Sequence, residues 1–315
     1  MIFERNHCMA KNHASIYSAL IADVLIATVK FIAGARTNSS SMISEGIHSL
    51  VDTTNQILLL YGLKRSARPP DKYRPFGYGK ELYFWSFIVS ILIFGLGGGL
   101  SIYQGILHIR KAEPLINPTL NYIVLGFSFL FDGASFTIAI REFNKARGNM
   151  GFWKAVVNSK DPSSFLVLFE DGAAVFGLVI VFILMLINHA FNMPFLDGVA
   201  SIFVGLLLVF ASFILARESR SLLMGEGIAP ETQQKIKQLV EKDAAVTKVG
   251  NILSTYESPD EIVLMLIVYF KTELDTEEIT DAIERVREGI KKEYKLVEFV
   301  IIQPQAMPVH RGSSK

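Results

Sequence analysis

Cysteine is nearly absent. Cys8 is the single one in 315 residues, which excludes an intrachain disulfide framework and a cysteine-held zinc ribbon. Charge is scarce too: Asp, Glu, Lys and Arg make up 19% of the chain and nearly cancel at a net +1, so the basic surplus that nucleic-acid binding requires is missing. Histidine occurs six times, never between Leu215 and Val309, and there is no HExxH motif. That excludes an intramembrane metallohydrolase of the zincin type, and the chain is not expected to be an enzyme. Met1 to His13 lacks an apolar core and a small-residue cleavage site. No removable signal or long transit peptide is expected there, and the first apolar helix is expected to do the targeting.

Apolar sequence is what the chain has in quantity. With 50% hydrophobic residues and a mean hydropathy of +0.36, its expected surroundings are a lipid bilayer. Runs long enough to cross about 30 Å of hydrocarbon at about 1.5 Å per residue fall at roughly 14–34, 41–63, 82–108, 119–140, 164–187 and 196–216. The expected architecture is a polytopic α-helical membrane protein with six transmembrane helices in residues 14–220, preceded by a short segment, 1–13. Segments on the side of the N-terminus, namely the N-terminus itself, 64–80, 141–160 and the stretch just after 216, carry 15 Lys and Arg. The opposite side carries three: Arg36, Arg110 and Lys111. The positive-inside rule then puts both termini in the cytoplasm, in the cell (cytoplasmic or inner) membrane.

Near Gly225 the apolar runs give way to a mixed, charged segment. Pro230 to Lys242 reads as a helix, Lys248 to Tyr256 and Ile262 to Phe270 as strands around a Ser258-Pro259-Asp260 turn, Thr276 to Glu293 as a helix and Val297 to Gln303 as a strand. Residues 221–305 are therefore expected to form a small cytoplasmic α+β domain, ferredoxin-like with the order αββαβ, followed by a flexible tail, 306–315. So small a domain has a thin core and gains from pairing with a second copy, so a homodimer is expected.

Ionisable residues inside the apolar runs are the candidates for function, since each costs several kcal/mol at membrane depth unless it pairs, lines a cavity or binds an ion. His48 and Asp52 are four residues apart on one helix face, with Glu45 one turn earlier. Depth along the helices brings Asp171 in the fifth span to the level of Asp52; Asp23 reaches a similar level and Asp132 lies nearer the cytoplasm. An imidazole with two or three carboxylates suits zinc, and a more oxygen-rich set suits manganese, iron or cobalt. The same groups bind protons, so metal and proton compete for one site. Asp23 and Lys30, seven residues apart, are expected to pair. His108 and His189 read as interfacial or solvated, and Gly97-Gly98-Gly99 as a point of close helix packing.

Four segments, SEGIHSLVDTTNQ, PDKYRPFGYGKE, DPSSFLVLFEDGAAVFG and the terminal VIIQPQ, resemble the cation diffusion facilitators, and within them the zinc transporter nine branch. The resemblance implies export of a divalent metal in exchange for protons, with Zn²⁺ the first choice of cargo, Fe²⁺, Mn²⁺ or Co²⁺ the alternatives, and H⁺ the counter-ion. By the same resemblance His48 and Asp52 match the family's second-helix HxxxD pair and Asp171 the aspartate of its fifth-helix pair. Val167 stands where the family has histidine or aspartate, so an oxygen from Asp132, Glu45 or Glu170, or a water, is expected to fill that place. Asp71 is present in the loop after the second span, but Arg74 and Tyr78 stand where many members have histidines. A membrane metal sensor without transport uses the same residues and remains the alternative.

Overall fold

A computed structural model describes residues 20–305 apart from 22, 117, 153–154 and 157–161. The expectations for Met1 to His13, for Cys8, for the start of the first span and for the 306–315 tail lie outside the described residues. The chain divides into two compact units. One holds the described residues up to Lys64 together with Leu82–Arg220; the other holds Arg65–Glu81 and the described residues from Ser221 onward.

The first unit is helical: α1 (23–37), α2 (Ser40–Ser66), α3 (Glu81–Arg110), α4 (Thr119–Arg147), α5 (Pro162–Phe191) and α6 (Phe195–Leu223). Of these, α3, α4, α5 and α6 are long and apolar enough to cross a membrane. Polar side chains at Ser44, Glu45, His48, Ser49, Asp52, Thr53, Asn55 and Gln56 keep α2 out of that group. Between α1 and α2 the chain breaks at Asn38, whose φ of 57° lies in the left-handed region that asparagine tolerates. Helices α4 and α6 run seven residues past the expected ends at 140 and 216. The added turns hold Arg141, Lys145, Arg217 and Arg220: charge ends an apolar run, but the helix goes on satisfying its own backbone.

Glycine sets the approach of α3 to α6. A Cβ on Gly205 would lie 2.8 Å from the Gly98 carbonyl oxygen, and one on Gly198 2.7 Å from that of Gly105. The two pairs lie seven residues apart on each helix, so antiparallel backbones touch every second turn. The run expected to pack closely is also where α3 widens into a π-helix, Ile93–Gly99.

In the second unit the order is α7 (Pro230–Val240), β1 (Val246–Ser258), β2 (Glu261–Phe270), α8 (Thr276–Glu293) and β3 (Val297–Gln305). The sheet order is β1-β2-β3, with β1 antiparallel and β3 parallel to β2. Asp275 and Glu278 form a capping box that starts α8. Ala282, Val286 and Ile290, at a spacing of four, turn one face of α8 into a core shared with Ile236, Leu264, Leu266 and Val268. A second apolar row is not covered in this way: Leu253, Met265 and Ile301 stand abreast on the three strands at 56%, 39% and 47% exposure. The loop Arg65–Glu81 belongs to this unit. The Phe76 ring meets that of Phe299 at 5.4 Å, and Lys80 Nζ lies 3.1 Å from Glu257. Gly79 sits against the Glu257 carbonyl so closely that no Cβ fits.

Arg285 donates twice to Asp243, at 3.0 and 3.1 Å, and this pairing holds the carboxyl below its usual range. Arg285 is open to solvent, so screening keeps the pair's contribution to stability small. A lowered carboxyl gives its full contribution above the ordinary value of about 4 and loses it as pH falls through the lowered one. Asp243→Asn is therefore expected to destabilise the unit only slightly at pH 7, with the difference shrinking in acid. Chemical unfolding of both proteins at neutral and acid pH tests this, and a difference that grows in acid would refute the pairing.

Candidate metal centre

Along α2 the residues Glu45, His48, Ser49, Asp52, Asn55 and Gln56 form a polar stripe at helical spacing. His48 is 2% exposed, and its Nε2 lies 3.5 Å from Asp52 Oδ2. Neither ring nitrogen has a hydrogen-bond partner. Leaving a buried polar atom unpaired costs about 1–3 kcal/mol, and an imidazole offers such a site a lone pair for a proton or a metal ion.

The two acids of α5 diverge. Glu170, also buried, accepts from Asn55 Nδ2 at 2.6 Å and so faces α2, whereas Asp171 accepts from Ser135 Oγ of α4 at 2.6 Å. Val167, one turn before Asp171, is 41% exposed. Consecutive residues of a helix point about 100° apart, and of the two it is Glu170 that meets α2, through Asn55.

Two further candidates, Glu45 and Asp132, meet Lys30, whose Nζ is 3.2 Å from Glu45 Oε2 and 3.8 Å from Asp132 Oδ2. Asp23, expected to pair with Lys30, instead accepts from Gln56 Nε2 at 2.8 Å. Asp52 lies within electrostatic reach of Glu170, Asp132, Lys30 and Asp171. Among the described residues no three His, Cys, Asp or Glu side chains close on a single point. The acids thus share one layer spread over α1, α2, α4 and α5.

In the loop before α3, Asp71 accepts from the Tyr78 hydroxyl at 2.6 Å and from the Tyr73 and Arg74 amides at 2.8 Å. The bond holds the Asp71 carboxyl down and pushes the Tyr78 phenol up, and the Arg74 guanidinium stacks 4.5 Å over the Tyr78 ring. Protein donors thus occupy the one carboxylate of this loop that the family resemblance would offer to a metal.

Sequence reasoning missed Asp197. This buried α6 carboxylate accepts from Ser39 Oγ, Ser40 N and Oγ, and Ser41 N and Oγ at 2.5–3.2 Å. His108, expected at the solvated interface, is 9% exposed at its side chain, with Nε2 3.8 Å from Asp197. Nothing in the linear sequence tells which distant acid would meet the serines at the start of α2.

Residues 16–224 match the family model of the cation efflux transmembrane domain. The chain belongs to the cation efflux family. It is similar to the proton-coupled zinc antiporter SLC30A9, mitochondrial, from Xenopus laevis, with 37% identity over 78% of this chain and 43% of that one. The human protein of the same name is 36% identical over 72% of this chain and 40% of its own. Metal tolerance protein C4 of Arabidopsis thaliana is 33% identical over 83% of this chain and 56% of its own. The chain therefore spans about half the length of these curated relatives. Among solved structures, MamM-CTD 215-293 covers 24% of the chain at 18% identity, with a TM-score of 0.23. Family and apolar helices together make this a multi-pass membrane protein close to the SLC30A9 branch.

Proposed function

We propose that the protein exports a divalent metal ion, with Zn²⁺ the first choice, in exchange for protons. His48, Asp52 and Asp171 hold the cargo between α2 and α5, and Glu170 supplies the oxygen that Val167 does not. The observation that carries this reading is the buried His48, with two unpartnered ring nitrogens beside Asp52, in a layer of carboxylates among apolar helices. One imidazole with two or three carboxylates suits four-coordinate zinc. The names of the SLC30A9 relatives, zinc antiporters coupled to protons, agree with it.

On this reading α1 and α2 also span the membrane, giving six spans, and both termini lie in the cytoplasm on the Lys- and Arg-rich side. Metal from that side displaces protons from the ligands, because each ligand must be deprotonated to bind it. When the bundle opens to the other side, incoming protons compete for the same atoms and release the metal. The exposed row of Leu253, Met265 and Ile301 supports homodimerisation through the soluble unit, since burying it removes apolar surface from water.

The test is uptake of Zn²⁺, Mn²⁺, Fe²⁺ and Co²⁺ by proteoliposomes holding the purified protein, with and without a pH gradient. Zinc flux that rises with an opposing proton gradient is expected. Flux indifferent to the gradient would overturn the coupling, and binding without flux of any metal would overturn transport in favour of a sensor.

A further inference from the structure

Transport chemistry alone leaves Lys30 unused. Its side chain is fully buried, and among the described residues it is the one Lys or Arg in that state. An ammonium carries three N–H donors and no acceptor. Here Nζ donates to Ser49 Oγ at 2.9 Å and to Glu45 Oε2 at 3.2 Å, and stands 3.8 Å from Asp132 Oδ2. One cation on α1 thus engages carboxylates of both α2 and α4.

Glu45 lies three residues before His48 on the same side of α2, one turn along from the pair proposed to hold the cargo. Its second oxygen, Oε1, is buried and unpartnered, turned toward α5, where a Cβ on Gly177 would lie 3.2 Å away. Glu45 thus keeps one oxygen free beside the proposed site, while the other is committed to Lys30. To leave the ammonium for a metal would strand a bare charge at a fully buried position.

We infer that Lys30 determines cargo specificity: it is a tethered cation that keeps Glu45 and Asp132 out of the metal's coordination shell. The inference rests on the reading that cargo binds in this layer. With both acids withheld, the site keeps one imidazole and few oxygens, the set that suits zinc. With both released, the oxygen count rises toward the six that Mn²⁺ accepts readily.

Binding and flux of Zn²⁺ and Mn²⁺ are measured on the full-length protein, wild type beside Lys30→Met, Glu45→Gln and the triple variant Lys30→Met/Glu45→Gln/Asp132→Asn. Lys30→Met is expected to lower the zinc-to-manganese affinity ratio by about tenfold or more, and the triple variant to bring it back within about threefold of wild type. Glu45→Gln alone is expected to leave zinc affinity within about threefold. An unchanged ratio in Lys30→Met overturns the inference, as does a tenfold loss of zinc affinity in Glu45→Gln, which would make Glu45 a ligand. Should Lys30→Met fail to fold, the Glu45→Gln result decides. A wild type that binds metal without moving it would defeat the transport reading, while the binding ratio still judges this one.

Discussion

Asp52→Ala is expected to lower the initial rate of Zn²⁺ transport in proteoliposomes by at least about a hundredfold, because even the supports of metal ligands are worth about 10–100-fold. Three things converge on this carboxylate. It lies 3.5 Å from the one buried imidazole of the layer, one helical turn along α2. Its side chain is 24% exposed against 2% for His48, so of the pair it is the more open. It also sits among Glu170, Asp132 and Asp171, whose charges a divalent ion offsets. Without Asp52 the imidazole keeps no carboxylate partner in its own helix. Asp171→Asn and Glu170→Gln divide the α5 contribution. A loss of about tenfold or more in Glu170→Gln supports Glu170 as the oxygen in place of Val167, and an unaffected Glu170→Gln beside an inactive Asp171→Asn returns that role to water or Asp132. Transport by Asp52→Ala at more than about a tenth of the wild-type rate would remove Asp52 from the ligand set.

The pair itself was legible because a helix fixes which residues share a face, and His48 with Asp52 is a spacing-of-four statement. The starts of the apolar helices were legible for a related reason: hydrocarbon admits few polar residues, so the runs begin near where lipid begins. Their ends were less so, since Arg141 and Arg217 mark where charge returns but not where hydrogen bonding stops. What no spacing rule supplies is the partner across helices. Lys30 was seven residues from Asp23, yet its ammonium turned to Glu45 on α2, and Asp23 took Gln56. Glu170 meets α2 through Asn55, a contact that spacing within α5 does not give. In each case the outcome depends on which polar atoms two helices bring level, and that follows from rotation and offset of whole helices rather than from either sequence alone.

Asp197→Ala is expected to destabilise the membrane unit by about 3 kcal/mol, judged from about 1–3 kcal/mol for each buried donor left unpaired. Asp197 stands in the first turn of α6 and also receives the Ser40 and Ser41 amides that open α2, so two helix N-termini bring their positive ends to one carboxylate. Serine hydroxyls rotate to find other acceptors, but backbone amides at a helix start do not, so the two amides dominate the cost. Ser41→Ala, which removes one hydroxyl donor and keeps the amide, is expected to cost only about 1 kcal/mol. Denaturant or thermal unfolding in lipid-like micelles tests both, and an Asp197→Ala protein within about 1 kcal/mol of wild type would refute the clasp. One turn further along, the Ser44 and Ser201 hydroxyls share a hydrogen bond, and Ser201 also meets the Ser101 carbonyl of α3. The start of α2 is thereby tied to α6 and, through the glycine contacts, to α3, while His48 and Asp52 lie two to three turns along α2. Loosening the clasp should therefore reach the ligands through the pitch of α2. Asp197→Ala protein that still folds is expected to bind zinc more weakly, even though no atom of Asp197 touches the site.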